Sequence, residues 1–163
     1  MRDAKERKLV KLYFQLSEDE NGYPPDRVET LWAEQTGPAE YKVDNIPFYV
    51  RGISSGDIVS ADRDDDGQLN FREILQKSGN SVFRLYIFDE EEIISLRQTI
   101  REMGYESEQS NVPNLIAVEI PENKSIKPFI DLIVEQAEAK NLEYQEAALR
   151  HSIREAVRPR LTT

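Results

Sequence analysis

The first half of the chain alternates short β-forming stretches with breaks that are rich in Gly, Pro, Asn and Asp. Apolar residues recur at alternate positions in these stretches, which is typical of half-buried strands. The pattern predicts strands over Leu9–Leu16, Val28–Gln35, Tyr41–Ile46, Ile58–Ala61 and Gln68–Leu75. Five short strands in succession predict a small β-barrel or curled sheet.

From Ser81 onward the pattern changes to strands alternating with helices. Helices are predicted to start at Asp89, where Glu92 completes a capping box, and at Ser125. Gly104 stands where the first helix should end. Strands are predicted over Val82–Phe88, Asn114–Ile120 and Leu142–Leu149, with a further extended segment over 105–112. The order strand, helix, strand, strand, helix, strand predicts a ferredoxin-like split-βαβ arrangement.

These patterns predict an α+β protein with a boundary near residues 78–80. Residues 1–79 are expected to form the small all-β domain and residues 80–150 the ferredoxin-like α+β domain. Residues 151–163 form a basic tail, in which Ile153 and Val157 favour a short helix before Pro159.

The stretch from Tyr41 to Val59 is the least regular part of the predicted barrel. The Asp44–Asn45 pair precedes Pro47, and all three residue types are poor strand formers. Something other than strand propensity must therefore hold this stretch in place. Two explanations stay open, a corner of the fold and a binding site.

Composition excludes several classes of site. The chain has no cysteine, which rules out disulfides, thiolate nucleophiles and cysteine-ligated metals. The charged N-terminus does not resemble a signal peptide, and no apolar run approaches the roughly 20 residues of a membrane helix. We therefore expect a cytoplasmic protein with no membrane partner.

The charge is unevenly distributed along the chain. The net charge is −10, but basic residues cluster at both ends, so residues 12–149 contain 28 acidic and 12 basic residues. A body this acidic repels nucleic acid and attracts basic surfaces. We therefore expect a basic protein partner and no nucleic acid.

Asp62–Glu73 matches the calcium-binding loop of an EF-hand at every ligand position. The surrounding sequence does not favour an EF-hand, because Gly52 and Gly56 precede the loop where a helix should enter, and the chain has no second loop. The alternation of Leu69 and Phe71 favours instead an acidic hairpin turn. No metal or other cofactor is predicted.

Catalytic patterns are weak. His151 is the only histidine, so a Ser-His-Asp triad is not favoured. An enzyme using Glu29, Asp44 and Asp57 as acid, base or metal ligands remains an alternative. The aromatic residues Phe83, Tyr86 and Phe88 are expected to pack in the core.

Several stretches together resemble a bacterial family known as the domain of unknown function DUF4265. They are Gly22–Pro25, Glu29–Ala33, Tyr41–Tyr49, Gly52, Gly56–Val59 and Ser78–Ser81. The resemblance covers about residues 8–149 and implies a small cytosolic bacterial protein. It implies no catalytic residues.

The first functional hypothesis is a non-enzymatic acidic binding module, most concretely an immunity or antitoxin-type protein that masks a basic toxin domain. The candidate partner-binding residues supply either charge or large anchoring side chains. They are Trp32, Asp44, Asn45, Phe48, Tyr49, Asp57, Asp62, Asp64, Asp65 and Asp66. The alternative is a regulator whose ferredoxin-like domain senses a small molecule.

Overall fold

A computed structural model of the protein describes residues 9–18, 20–22, 24 and 27–152. They form a mixed α+β fold of two compact units that divide between Ser78 and Gly79. None of the helices in these described ranges is long and apolar enough to cross a bilayer. The predicted tail helix around Ile153 and Val157 lies outside the described residues.

The first unit is a closed five-stranded barrel. Its strands are β1 (Leu9–Gln15), β2 (Val28–Gly37), β3 (Glu40–Val43), β4 (Ile58–Arg63) and β5 (Leu69–Gln76). Each strand is antiparallel to the next, and the barrel closes through parallel pairing of β1 with β5. The prediction of a strand reaching Ile46 is wrong, because β3 ends at Val43, before the residues that disfavour a strand.

The barrel core follows from the alternation of side chains along each strand. Inward positions of β1 and β2 include Leu12, Phe14 and Leu31, all buried. Phe14 also stacks on Phe71 with ring centroids 4.9 Å apart. Along β2 the inward side continues from Ala33 through Leu31 to Glu29, so strand geometry places a carboxylate at the edge of the core.

The second unit is a four-stranded antiparallel sheet with two helices. Its elements are β6 (Ser81–Ile87), a 3₁₀ turn (Glu90–Glu92), α1 (Ile93–Glu102), β7 (Glu106–Gln109), β8 (Leu115–Ile120), α2 (Lys127–Glu138) and β9 (Leu142–Ala148). The strands lie in the order β7-β8-β6-β9. Asp89 caps the first turn by accepting a hydrogen bond from Glu91 N at 2.9 Å, and Gly104 follows α1 with φ of 94°, as predicted.

Both helices contribute to one core on a single face of this sheet. Phe129 of α2 lies at its centre, in edge contact with Phe83 at 5.2 Å and Tyr105 at 5.7 Å. The expectation that Tyr86 and Phe88 are also core residues is wrong, since they are 43% and 48% exposed. Tyr86 lies three positions from Phe83, and positions an odd number apart on a strand face opposite sides of the sheet.

Replacing Phe129 with alanine should lower the free energy of unfolding by about 3–5 kcal/mol, because a fully buried ring would leave a cavity. Denaturation in urea measures the change. The control is Ile94→Ala on α1, where the side chain is 79% exposed and the expected change is within about 0.5 kcal/mol. Equal effects of the two substitutions would contradict the assigned core.

Candidate functional site

Residues 44–56 form a loop whose two ends are tied together at Val43. The Val43 N–H donates to the carbonyl of Asp57 at 2.9 Å, and Val43 O accepts from Gly56 N at 2.7 Å. The irregular stretch predicted between the third and fourth strands is thus an excursion that returns to its starting point. Three side chains, those of Glu29, Asp57 and Asn45, hold the middle, the end and the start of this loop by hydrogen bonds.

Glu29 holds the middle of this loop. Its Oε2 accepts from Phe48 N at 2.7 Å, and its Oε1 accepts from Tyr49 N at 3.0 Å and Val50 N at 2.8 Å. Only 8% of the residue is exposed, and a buried carboxylate needs such donors to offset its desolvation. Glu29 is therefore a brace for the backbone of the loop.

Asp57 holds the end of the loop, and this corrects its assignment as a partner-binding residue. The residue is 0% exposed. Its Oδ2 accepts from Ser54 N and its Oδ1 from Ser78 N, both at 2.9 Å. A carboxylate that is enclosed and hydrogen-bonded in this way offers no charge to a partner at the surface.

Asn45 holds the start of the loop against β2. Its side-chain oxygen accepts from Trp32 N at 2.6 Å, while Asp44 N donates to Trp32 O at 2.9 Å. Both backbone groups of Trp32 are thereby fixed, and the indole is left 43% exposed. Asp44 is exposed beside it, so the loop sets an aromatic side chain next to an acidic residue on the barrel surface.

The sequence did not predict that Lys11 is a neighbour of Trp32. Lys11 lies opposite Trp32 in the β1–β2 pairing, and its Nζ is 5.4 Å from the centre of the indole ring. This distance is within the range of a cation–π contact. The pairing register would have revealed it, but the register of two strands is not visible in either strand alone.

The Asp62–Glu73 segment is a β-hairpin rather than a helix–loop–helix unit. Asp62 and Arg63 end β4, Leu69 begins β5, and Glu73 lies within β5 opposite Ser60. Strands thus flank the turn on both sides, where an EF-hand has helices. Among the described residues, no group of three or more His, Cys, Asp or Glu side chains is placed to hold a metal ion.

Asp64 shapes the hairpin turn. Its Oδ1 accepts from the backbone N–H groups of Asp66 and Gln68, and its Oδ2 from the side-chain amide of Asn70, all at 2.9 Å. The Asn70 and Gln68 hydrogen bonds hold the pKa of the Asp64 carboxyl below its ordinary value of 3.8. Gly67 completes the turn with φ of 81°, a conformation that glycine adopts without strain.

The predicted site residues therefore separate into braces and exposed groups. Asp64, Asn45 and Asp57 are engaged by the fold, and Phe48 and Tyr49 are half-buried with their N–H groups held by Glu29. Trp32, Asp44, Asp62, Asp65 and Asp66 are exposed, as is Asp64 in spite of its hydrogen bonds, and Asp62 forms an ion pair with Arg72 at 3.5 Å.

Strand pairing places the acidic turn near Trp32. Leu12 pairs with Leu69, so the turn before Leu69 runs alongside the residues before Leu12. Lys11 is the first of those residues, and it pairs with Trp32 on its other side. The turn and Trp32 are thus at the same level of the barrel, with β1 between them.

The second unit contains a serine–histidine contact that is not arranged for catalysis. Ser81 Oγ lies 2.7 Å from His151 Nδ1, and His151 Nε2 lies 2.9 Å from Pro121 O. Ser81 is 0% exposed, and its Oγ accepts from Arg150 N at 2.8 Å. A nucleophile needs access to its substrate, and this hydroxyl is enclosed.

Comparisons with known proteins agree with this picture of the fold. A family model described as a domain of unknown function (DUF4265) matches residues 29–144, which include strands of both units. The structure is similar to the crystal structure of a hypothetical protein from Neisseria gonorrhoeae, with a TM-score of 0.72 and 22% identity over 90% of this chain and 99% of that chain. At this identity the likeness concerns the fold alone. No curated protein matches the sequence.

Replacing Glu29 with alanine should lower the free energy of unfolding by about 3 kcal/mol, because three backbone N–H groups lose a charged acceptor. Glu29→Gln should have a smaller effect, since one acceptor oxygen remains. Urea denaturation measures both changes. Glu73→Ala, at an exposed glutamate of β5, is the control with an expected change within about 0.5 kcal/mol, and an equally mild Glu29→Ala would refute the bracing role.

Millimolar calcium should leave the melting temperature unchanged, because the turn is hydrogen-bonded to itself through Asp64. A sensor-type EF-hand at about 100 times its Kd would gain roughly 2.7 kcal/mol and melt several degrees higher. Thermal melts with calcium and with a chelator distinguish the two cases. A saturable rise that Glu73→Gln abolishes would instead establish a calcium loop.

Proposed function

Because the chain belongs to the DUF4265 family, a family of unknown function, we propose from its own surface that it is a non-enzymatic module that binds a basic protein. The most concrete form of the proposal is an immunity or antitoxin-type protein that masks a basic toxin domain. The observation that carries it is the pairing of an exposed Trp32 with Asp44 on a braced loop.

The geometry at Trp32 supports this role because binding energy at protein interfaces concentrates in a few large anchors. Tryptophan is enriched among such anchors, and surrounding contacts that exclude water strengthen them. Here the backbone of Trp32 is already fixed by Asp44 and Asn45. A preorganised anchor loses less conformational entropy on binding.

The acidic turn supports a basic partner. Asp65 and Asp66 are exposed in the turn that precedes Leu69, which pairs with Leu12 beside Lys11 and Trp32, and the protein carries a net charge of −10. Complementary charge raises the association rate and discriminates against acidic or neutral surfaces. The aromatic anchor then determines how slowly the complex dissociates.

The internal carboxylates support a non-enzymatic role. Of the three candidates for acid–base chemistry, Asp44 is exposed, whereas Glu29 and Asp57 are buried and accept backbone hydrogen bonds. Both hold the backbone of the loop over residues 44–56 in place. Such groups suit a rigid scaffold better than a reaction centre.

Two finer proposals accompany the function. The second unit is of the ferredoxin-like kind, which its strand order β7-β8-β6-β9 and the packing of both helices on one sheet face support. The protein acts in the bacterial cytoplasm, where its lack of cysteine suits a reducing environment.

The test is affinity capture from native cytosol with the full chain as bait, washed at low and at high salt, with retained proteins identified by mass spectrometry. We expect a stoichiometric basic protein at low salt. Trp32→Ala should weaken its binding by at least about 30-fold, as expected for an anchor worth 2 kcal/mol. The triple change Asp44→Asn, Asp65→Asn and Asp66→Asn should slow association and reduce the salt dependence.

The matched control removes three exposed carboxylates elsewhere, through Glu73→Gln, Glu102→Gln and Glu135→Gln. Equal weakening by both triple variants would indicate attraction to net charge alone and no defined surface. Wild-type affinity in Trp32→Ala and in the aspartate variant would overturn the proposal.

A further inference from the structure

A groove lies in the second unit at the C-terminal end of β6, between α1 and α2. Its volume is about 660 Å³, within the usual range of ligand sites. Every lining residue belongs to this unit. They are Ile87, Phe88, Asp89, Glu92, Ser95, Leu96, Thr99, Leu132, Gln136, Lys140, Asn141 and Leu142.

The floor and one rim of the groove are apolar. Ile87 and Leu142 are buried beneath it, and Leu96 and Leu132 are half-buried on the two helices. Phe88 stands at the rim, 48% exposed, in edge contact with the equally open Tyr86 at 5.9 Å between ring centroids. Two touching aromatic side chains left in solvent are typical of a contact surface.

The other rim is acidic. Asp89 and Glu92 line the groove and are exposed, and the exposed Glu90 and Glu91 lie between them in the sequence. The Glu92 side chain is exposed and makes no capping hydrogen bond to α1. Lys140 is the one basic residue of the lining. The local potential therefore favours a cation.

We infer that this groove takes an arginine or lysine side chain, with an adjacent apolar residue, from the basic partner; this inference rests on the proposed function. Long cationic side chains have an apolar stem and a charged head. The stem would lie on Leu96 and Leu132, and the head would reach Glu92 and Asp89. The neighbouring apolar residue would pack on Phe88, so the charge and shape of the groove fit one amphipathic basic segment.

The test uses a defined probe and the full ¹⁵N-labelled chain. The peptide acetyl-Leu-Arg-Leu-Arg-amide is titrated while backbone amide shifts are recorded by NMR. We expect saturable shifts at Phe88, Glu92, Leu96 and Asn141 that weaken as salt rises. The peptide acetyl-Leu-Glu-Leu-Glu-amide should produce none.

Two pairs of variants separate the groove from its surroundings. Glu92→Gln should weaken peptide binding at least about fivefold, as expected for 1 kcal/mol, whereas Glu102→Gln on the same helix should leave it unchanged. Ser95→Trp should fill the groove and abolish binding. Its control, Gln98→Trp, adds the same bulk at an exposed position of α1 outside the groove.

Other outcomes would overturn the inference. Shifts centred on Trp32 and Asp44, shifts scattered over many carboxylates, or equal binding of the glutamate peptide would each refute a cation groove. A protein partner that binds Glu92→Gln and Ser95→Trp normally but loses affinity for Trp32→Ala would refute the groove and leave the proposed function standing. Peptide binding in the groove with no basic protein captured from cytosol would leave the groove standing and refute the proposed function.

Discussion

The arrangement of the barrel surface depends on one buried carboxylate. Glu29 occupies an inward position of β2 and accepts three consecutive backbone N–H groups from Phe48, Tyr49 and Val50. A loop that leaves its sheet loses the regular partners of its backbone, and buried N–H groups without acceptors are strongly unfavourable. The carboxylate supplies those acceptors at one point. The loop after Pro47 can therefore remain compact without strand pairing.

The same constraint explains which polar residues of the loop are exposed and which are enclosed. The side chains of Asn45 and Asp57 accept hydrogen bonds that fix the start and the end of the loop over residues 44–56. Fixing the start also holds the backbone of Trp32 and leaves Asp44 exposed. Structural bracing and surface presentation are thus two results of one set of hydrogen bonds, which is why residues of both kinds lie close together in the sequence.

Local pattern predicted much of the fold, and pairing register accounts for most of what it missed. Alternation located the barrel strands, and the capping signals at Asp89 and Gly104 located the first helix, because these depend on neighbours a few residues away. Burial of a polar side chain depends on the partner strand, so Asp57 was assigned to the surface although it lies inside. The alternation of Glu29 with Leu31 and Ala33 did contain the signal for a buried brace. Tyr86 and Phe88 were assigned to the core because they are hydrophobic. That assignment did not take into account that successive residues of a strand face opposite sides of the sheet.

Each unit carries a large aromatic side chain beside exposed carboxylates, Trp32 with Asp44 and Phe88 with Glu92. Apolar contact and charge contribute differently to association. Exposed charges act over roughly 8–10 Å at physiological salt and mainly speed the encounter, whereas a desolvated aromatic anchor slows dissociation. A surface that combines both can find a basic partner quickly and retain it, although each exposed carboxylate alone contributes little. Under the proposed function, the acidity of the chain and the aromatic residues exposed in the described part of it are two parts of one binding strategy.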